Sequence, residues 1–228
     1  TTGMTLASGA TINVDADEVD HLLADETANR LTISDQVITV TNAITVDQAN
    51  LLGATTTGKL TATIATTETV TELATLSADG GTNDLTVVIR GADATAATAA
   101  QLNTINAATA VAVDLTNVTA LAGSSLSDLG TLATAITNNA FQNDTGLTTI
   151  AVTDTTIDAT TLAARIDSYD TINGGSTTGM TLASGATINV DADEVDHMLA
   201  DETAGRVTIG DQKITVTNAI TVDTANLL

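Results

Sequence analysis

The sequence predicts a repeat fold: an elongated β-solenoid (β-helix-like), in which short parallel β-strands stack and short α-helices are interleaved between them. Two observations predict it. Residues 177–228 repeat residues 1–52 with only six differing pairs, so the chain restarts after 176 residues. Within that period, a shorter pattern of apolar residues, turn formers and Ala/Leu-rich stretches also recurs. Recurrence of this kind is typical of repeat architectures.

The shorter pattern predicts a strand, a corner and a helical piece. Two apolar residues at spacing two are followed by a residue type that caps turns or tolerates left-handed backbone. An Ala/Leu-rich stretch comes next. The pattern begins at Ile38, Val87, Ile150 and Ile214, with Asn42, Gly91, Asp154 and Asn218 at the expected corners.

A second set of alternating apolar runs adds to the count of units. One run contains Ile12 and Val14, and the segment DADEVDHLLADE after it has a helical pattern. Both sets together give about six strand-plus-helix units of about 30 residues in each period. We therefore expect residues 1–176 to form one full period and residues 177–228 to begin the next. We expect one continuous array, with no boundary between independent domains.

The differing pairs between the two copies indicate what each position tolerates. One pair places a charge beside a strand residue, which fits an outward-facing strand position. Another exchanges Asn for Gly, which fits a turn with positive φ. Two pairs keep an apolar side chain, as core positions should. These pairs are Val37 with Lys213, Asn29 with Gly205, Leu22 with Met198, and Leu31 with Val207.

Composition and charge exclude several classes of function. The formal charge of -22 argues against binding nucleic acid or an anionic membrane surface. No apolar run approaches the roughly 18 residues of a membrane span, so we expect no membrane insertion. A polysaccharide-active enzyme needs paired carboxylates in an aromatic-lined groove, but the only aromatic residues are Phe141 and Tyr169. The chain also has none of the common nucleophile, phosphate or zinc motifs, so we expect no enzymatic activity.

Residues 93–129, DATAATAAQLNTINAATAVAVDLTNVTALAGSSLSDL, resemble the Thr/Ala/Asp-rich repeats of giant cell-surface proteins of cyanobacteria and other bacteria. The matching residues are Leu102, Asn103, Asn106, Ala107, Thr109, Val111, Val113, Val118, Thr119, Leu121 and Gly123. The composition is also similar to that of S-layer and RTX-type adhesin repeats. The resemblance implies an exported, elongated and often calcium-dependent protein of the bacterial cell surface.

These observations lead to one preferred function and one alternative. The preferred function is a non-enzymatic structural segment of a long, secreted, repetitive surface protein, in a filament, stalk or lattice. Its partners would be further copies of the repeat in a longer chain, with self-association into a filament or lattice. The alternative is an adhesive module that binds a surface glycan or a partner protein. That alternative requires exposed aromatic side chains, for which Phe141 and Tyr169 are the only candidates.

The densest acidic cluster, VDADEVDHLLADE, suggests a calcium site in each copy. Calcium prefers six to eight oxygen ligands, and the cluster offers several carboxylates at a strand-to-helix junction. It lacks the glycine and the terminal glutamate of an EF-hand. The alternative interpretation is that Asp15 or Asp17 caps a helix while the other acids favour its positive end. The candidate calcium ligands are Asp15, Asp17, Glu18 and Asp20, with Asp191, Asp193, Glu194 and Asp196 in the second copy.

The segment DGGTNDLTV, residues 79–87, has a weaker similarity to a calcium-binding nonapeptide. It is one residue short, and Asn83 stands where a glycine would be needed. We therefore expect Gly80, Gly81, Asn83 and Asp84 to form a turn, with a calcium loop as the alternative.

His21 and His197 are the only histidines and occupy equivalent positions in the two copies. A histidine beside acids can ligate zinc or act as a base. One histidine per period makes a poor metal site, however, so we expect a partly exposed histidine on a helix.

Overall fold

A computed structural model describes residues 3–77, 82–221 and 225–226. Every strand pair in this part of the chain is parallel. The strands are β1 (Met4–Thr5), β2 (Thr11–Val14), β3 (Leu31–Thr32), β4 (Val37–Ile44), β5 (Leu60–Ile64), β6 (Asp84–Thr86), β7 (Val113–Asp114), β8 (Ala120–Ser124), β9 (Phe141–Gln142), β10 (Thr149–Val152), β11 (Thr156–Asp158), β12 (Gly179–Thr181), β13 (Thr187–Val190), β14 (Val207–Thr208) and β15 (Lys213–Val216). The helices are α1 (Val19–Thr27), α2 (Val46–Thr55), α3 (Val70–Leu73), α4 (Ala99–Ala107), α5 (Leu126–Thr137), α6 (Ala159–Ile172) and α7 (Val195–Thr203).

The prediction of an elongated solenoid was wrong. The described residues form a mixed α/β structure with five small parallel sheets and seven α-helices, and no sheet has more than four strands. Most strands have only two to five residues, as the prediction expected, but they pair in five separate sheets and not in one continuous stack. Helix residues such as Leu52, Leu102 and Leu129 are fully buried, so the core is built from helices as well as strands.

The chain divides into two compact units. The first contains Thr1–Asp93, Gln101–Thr116 and Asn139–Gln142, and the second contains Ala94–Ala100, Asn117–Asn138 and Asn143–Leu228. The first unit has a four-stranded sheet in the order β2-β4-β5-β6 and two-stranded sheets β1-β3 and β7-β9. The second has a four-stranded sheet in the order β14-β12-β10-β8 and a three-stranded sheet in the order β11-β13-β15.

Strand β4 and helix α2 show how the recurring pattern folds. Ile38 and Val40 are buried while Val37 and Thr39 are only half-buried, which confirms the alternation expected from the Val37 and Lys213 pair. Asn42 lies within β4 and not at a corner, at a shift in register between β4 and β5. Helix α2 then begins after Thr45, which forms a capping box with Gln48. The strand-to-helix prediction is confirmed here, but the corner is a strand irregularity.

Helix α5 carries much of the core of the second unit. It begins after Ser125, whose hydroxyl accepts a hydrogen bond from the Asp128 N–H. Leu126, Leu129 and Leu132 are buried at the three-residue spacing expected of one helix face. Within the described part of the chain, no helix combines the length and the apolar character needed to cross a lipid bilayer.

The turn after the first helix of each copy has a left-handed residue. Asn29 has φ of 55° and Gly205 has φ of 72°, which confirms the turn expected from this pair. A Cβ atom added at Gly205 would meet no atom within 4 Å, so only backbone strain opposes a side chain there.

We expect Gly205→Ala to lower the free energy of unfolding by about 1–2 kcal/mol, because an alanine pays the steric cost of left-handed backbone. The matched control is Asn29→Gly, which copies the natural exchange and should change stability by no more than about 0.5 kcal/mol. Urea denaturation of both variants measures the difference. Equal stability of Gly205→Ala and the original chain would contradict the turn geometry.

Candidate metal centre

The acidic cluster of the first copy lies where β2 leads into α1. Asp15 follows directly after β2, and a short 3-10 helix, Ala16–Glu18, connects it to α1. The Asp15 carboxylate accepts a long hydrogen bond of 3.4 Å from the Asp17 N–H. Asp15 is therefore the cap of this helical segment, as the alternative interpretation of the cluster expects.

The side-chain amide of Asn42 lies closer to the Asp15 carboxylate than the Asp17 N–H does. Nδ2 of Asn42 lies 2.9 Å from each of its two oxygens, and Thr41 Oγ1 lies 3.5 Å from one of them. In the second copy, Asn218 Nδ2 donates to Asp191 at 2.5 Å. Hydrogen-bond donors thus approach the oxygens that a calcium ion would need.

The remaining candidate ligands point to separate partners. Asp20 accepts a hydrogen bond from Gln48 Nε2 at 3.2 Å, and Glu194 accepts one from the Thr160 hydroxyl. Asp17, Glu18, Asp193 and Asp196 are on the surface. No three His, Asp or Glu side chains in the described ranges form a group that could hold a metal ion. In the first copy the residues present thus fit helix capping better than a calcium cage, whereas Asp191 makes no capping hydrogen bond in the second copy. The calcium site stays a prediction.

We expect Asp15→Ala to destabilise the chain by about 1 kcal/mol in EDTA, because the cap and the Asn42 contact are lost. The calcium hypothesis adds that calcium raises the melting temperature of the original chain and not that of an Asp15→Ala, Asp191→Ala double variant. Circular dichroism melts in EDTA and in excess calcium measure both effects. Identical melts of the original chain in the two buffers would contradict calcium binding.

Residues 79–81 of the DGGTNDLTV segment, which include Gly80 and Gly81 of the expected turn, lie outside the described residues. Its second half is not a simple turn. Asn83 is buried, and its Oδ1 accepts a hydrogen bond from the Leu60 N–H at 2.9 Å. Asp84 begins β6 and pairs with Lys59. Asn83 and Asp84 therefore join neighbouring strands.

The two histidines lie on helices, as expected from the sequence. His21 in α1 and His197 in α7 are both exposed. His197 lines a cavity of about 170 Å³ together with Glu194, Asp201 and Met198. The walls of this cavity are mostly apolar.

No protein-family model, no curated protein and no solved structure matches this chain. The resemblance to giant surface proteins therefore stays a prediction, and the geometry of the chain itself has to carry the functional argument.

Arg206, a cation that binds several carboxylates, was missed in the sequence. Arg206 contacts three carboxylates: Asp167 through Nη2 at 2.8 Å, Asp170 through Nε at 2.9 Å and Asp201 through Nη1 at 3.0 Å. Burial raises the pKa of Asp201, although the Arg206 charge works to lower it. The sequence feature that could have pointed to Arg206 is the scarcity of cations, since only six residues are Lys or Arg. Each cation is therefore expected to satisfy several of the 28 acids.

A second set of polar residues caps neighbouring helices. Asp93 Oδ2 accepts from the Val70 N–H at the start of α3 at 2.7 Å, and Asp154 Oδ2 accepts from the Leu126 N–H at the start of α5 at 2.8 Å. Burial works to raise the pKa of Asp93, but hydrogen bonds from Arg90 and the Val70 N–H outweigh it and lower the pKa. Asp154 was predicted as a corner residue, and its structural role is to cap a helix 28 residues earlier in the chain.

Proposed function

We propose that this chain is a non-enzymatic structural segment of a long, repetitive protein of the bacterial cell surface. The observation that carries the proposal is that two near-identical sequences, 176 residues apart, fold into the same local structure. In each copy, two strands, a short 3-10 helix, a nine-residue α-helix and two further strands follow in the same order. The 3-10 helix is Ala16–Glu18 in the first copy and Ala192–Glu194 in the second. The repeated sequence is therefore a repeated structural unit.

The strand register supports this equivalence. In the first copy, β2 pairs with β4 so that Ile12 lies opposite Ile38. In the second copy, β13 pairs with β15 so that Ile188 lies opposite Ile214. Both pairs are offset by the same 26 residues, and β1 with β3 and β12 with β14 share a second common register. The same strand pairing in both copies favours a structural role for the repeated segment.

The aromatic residues give no support to the adhesive alternative. Phe141 is 4% exposed and Tyr169 is fully buried, with its hydroxyl donating to the Leu129 carbonyl at 3.1 Å. Sugar-binding surfaces need exposed rings to stack on pyranose faces, and adhesive protein surfaces commonly rely on exposed Tyr or Trp. The two candidates serve the core instead.

The net negative charge supports the proposed surface role. The formal charge of -22 repels other acidic chains and keeps an exported protein in solution. Cations outside a cell can screen or bridge the same acidic side chains. The calcium melting experiment tests whether calcium does so.

The proposal is tested on the cells that make the protein. Antibodies raised against this chain should label intact cells, and a blot should detect the epitope in a polypeptide much longer than 228 residues. Brief protease treatment of intact cells should remove both signals. Labelling that appears only after the cells are permeabilised would contradict the surface location, and a band of the size of this chain alone would contradict the long repetitive protein.

A further inference from the structure

The two copies form a matched pair in which the same face is covered once and exposed once. Met4 in β1 is 62% exposed, whereas its equivalent Met180 in β12 is fully buried. Ile12 is half-buried, whereas its equivalent Ile188 is fully buried. Because the local sequences are identical, the difference arises from the neighbouring residues and not from the copy itself.

Three elements cover this face in the second copy. Strand β10 pairs with β12 and places Ile150 opposite Met180. Strand β11 pairs with β13 and places Ile157 opposite Ile188. Helix α6 packs against α7. Residues 149–172 thus supply two strands and a helix that complete the sheets of the second copy.

The first copy lacks such a cover in the described residues. Strand β2 is an edge strand of its sheet, and β1 pairs only with β3. The exposed backbone of both strands can accept a further parallel strand. Leu22 and Leu31 are half-buried, while their equivalents Met198 and Val207 are buried.

The equivalent arginines of the two copies also differ in how many carboxylates they bind. Arg206, which follows α7, reaches Asp167 and Asp170 on α6 in addition to Asp201 on α7. Among the described residues, the side chain of its equivalent Arg30 binds only Asp25, the equivalent of Asp201, and is 61% exposed compared with 26% for Arg206. Arg30 therefore has hydrogen-bonding capacity for two further carboxylates.

We propose that this face of the first copy binds a further copy of residues 149–172, supplied by a preceding period of the same repeat. The proposal rests on the proposed function of a repetitive protein and names the surface through which one period joins the next. Ile150 and Ile157 of the preceding period would lie opposite Met4 and Ile12. Asp167 and Asp170 of that period would bind Arg30.

Chain connectivity favours this occupant over an unrelated partner. In the second copy, the covering helix α6 ends at Ile172 and Thr177 begins the copy only five residues later. A preceding period joined directly to Thr1 would therefore hold the same segment beside the face at high effective concentration. The apolar and acidic side chains of that segment match the face because they already match its duplicate.

The test uses a tandem chain in which residues 1–176 precede the full chain. Met4→Leu in the upstream period leaves the downstream Met4 as the reporter. Hydrogen peroxide oxidises exposed methionine, and mass spectrometry follows each methionine separately. We expect the downstream Met4 to be oxidised about tenfold more slowly than Met4 of the original chain, since burial limits access of the oxidant.

The matched control carries Asp167→Arg and Asp170→Arg in the upstream period only. It should lose most of the protection, because two arginines would then face Arg30. A downstream Met4 that is oxidised as fast in the tandem chain as in the original chain would overturn the proposal. Equal protection with and without the charge reversal would also overturn it, because the pairing of Arg30 would then be irrelevant.

This experiment separates the proposal from the proposed function. Protection of Met4 in a protein that antibodies find only inside cells would keep the docking face and reject the surface role. Surface labelling without protection of Met4 would keep the surface role and reject the docking face. Circular dichroism of the tandem chains and protection of Met180 in all of them confirm that the second copy is folded.

Discussion

Ile188→Ala is expected to lower the free energy of unfolding by about 2–5 kcal/mol, the usual cost of a large-to-small change in a packed core. Ile188 is fully buried in the central strand of a three-stranded sheet. It lies in register between Ile157 on one side and Ile214 on the other. Truncation would leave a cavity that both neighbouring strands would have to fill. Chemical denaturation followed by circular dichroism measures the loss.

Ile12→Ala is the matched control, because Ile12 has the same neighbours along the chain as Ile188. It lies on an edge strand and is half-buried, so its truncation should cost about 1 kcal/mol or less. For the last strand pair of the repeated segment, the first copy should be the more sensitive one. Ile38 is fully buried and its equivalent Ile214 only half-buried, so Ile38→Ala should cost more than Ile214→Ala. Equal costs within either pair would contradict the burial pattern.

Arg206→Met is expected to destabilise the chain by about 2–4 kcal/mol, because it leaves partly buried carboxylates without their counter-charge. The side chains of Asp201 and Asp170 are only 12% and 19% exposed. Methionine keeps much of the apolar stem, so the loss reports the missing charge and hydrogen bonds more than lost packing. Urea denaturation at low and high salt measures the effect.

The control for Arg206→Met is Arg30→Met in the first copy. Arg30 is mostly exposed and contacts one carboxylate, so its replacement should cost no more than about 0.5 kcal/mol. A similar loss in both variants would show that the three-carboxylate arrangement around Arg206 contributes nothing special.

Local structure could be read from the sequence where neighbouring residues determine it. The cap and the leucine spacing of α5, the alternation of β4 and the positive φ of Asn29 all depend on a few consecutive residues. The solenoid prediction failed because short strands specify their nearest partners but not how far a sheet continues. Asn42 shows the same limit: its turn propensity predicts a corner, but it lies inside β4, between Thr39 and Ala43, which both pair with β5.

In the candidate site, the sequence did not identify partners that are far apart along the chain. The helix-capping role of Asp15 could be inferred from its position, but its closest partner, Asn42, is 27 residues away along the chain. The partners of Arg206 on α6 are 36 and 39 residues away. Partners at such distances follow from strand pairing, and the hydrophobic pattern of one strand does not identify its neighbour.

The central claim is that two copies of one structural unit differ in which face their neighbours cover. The unmodified chain tests it directly, because Met4 and Met180 lie in the identical sequence TTGMTLASGATINV and differ in exposure. Limited oxidation with hydrogen peroxide, followed by mass spectrometry, should modify Met4 at least about tenfold faster than Met180. Oxidation of the two methionines at the same rate would contradict the account.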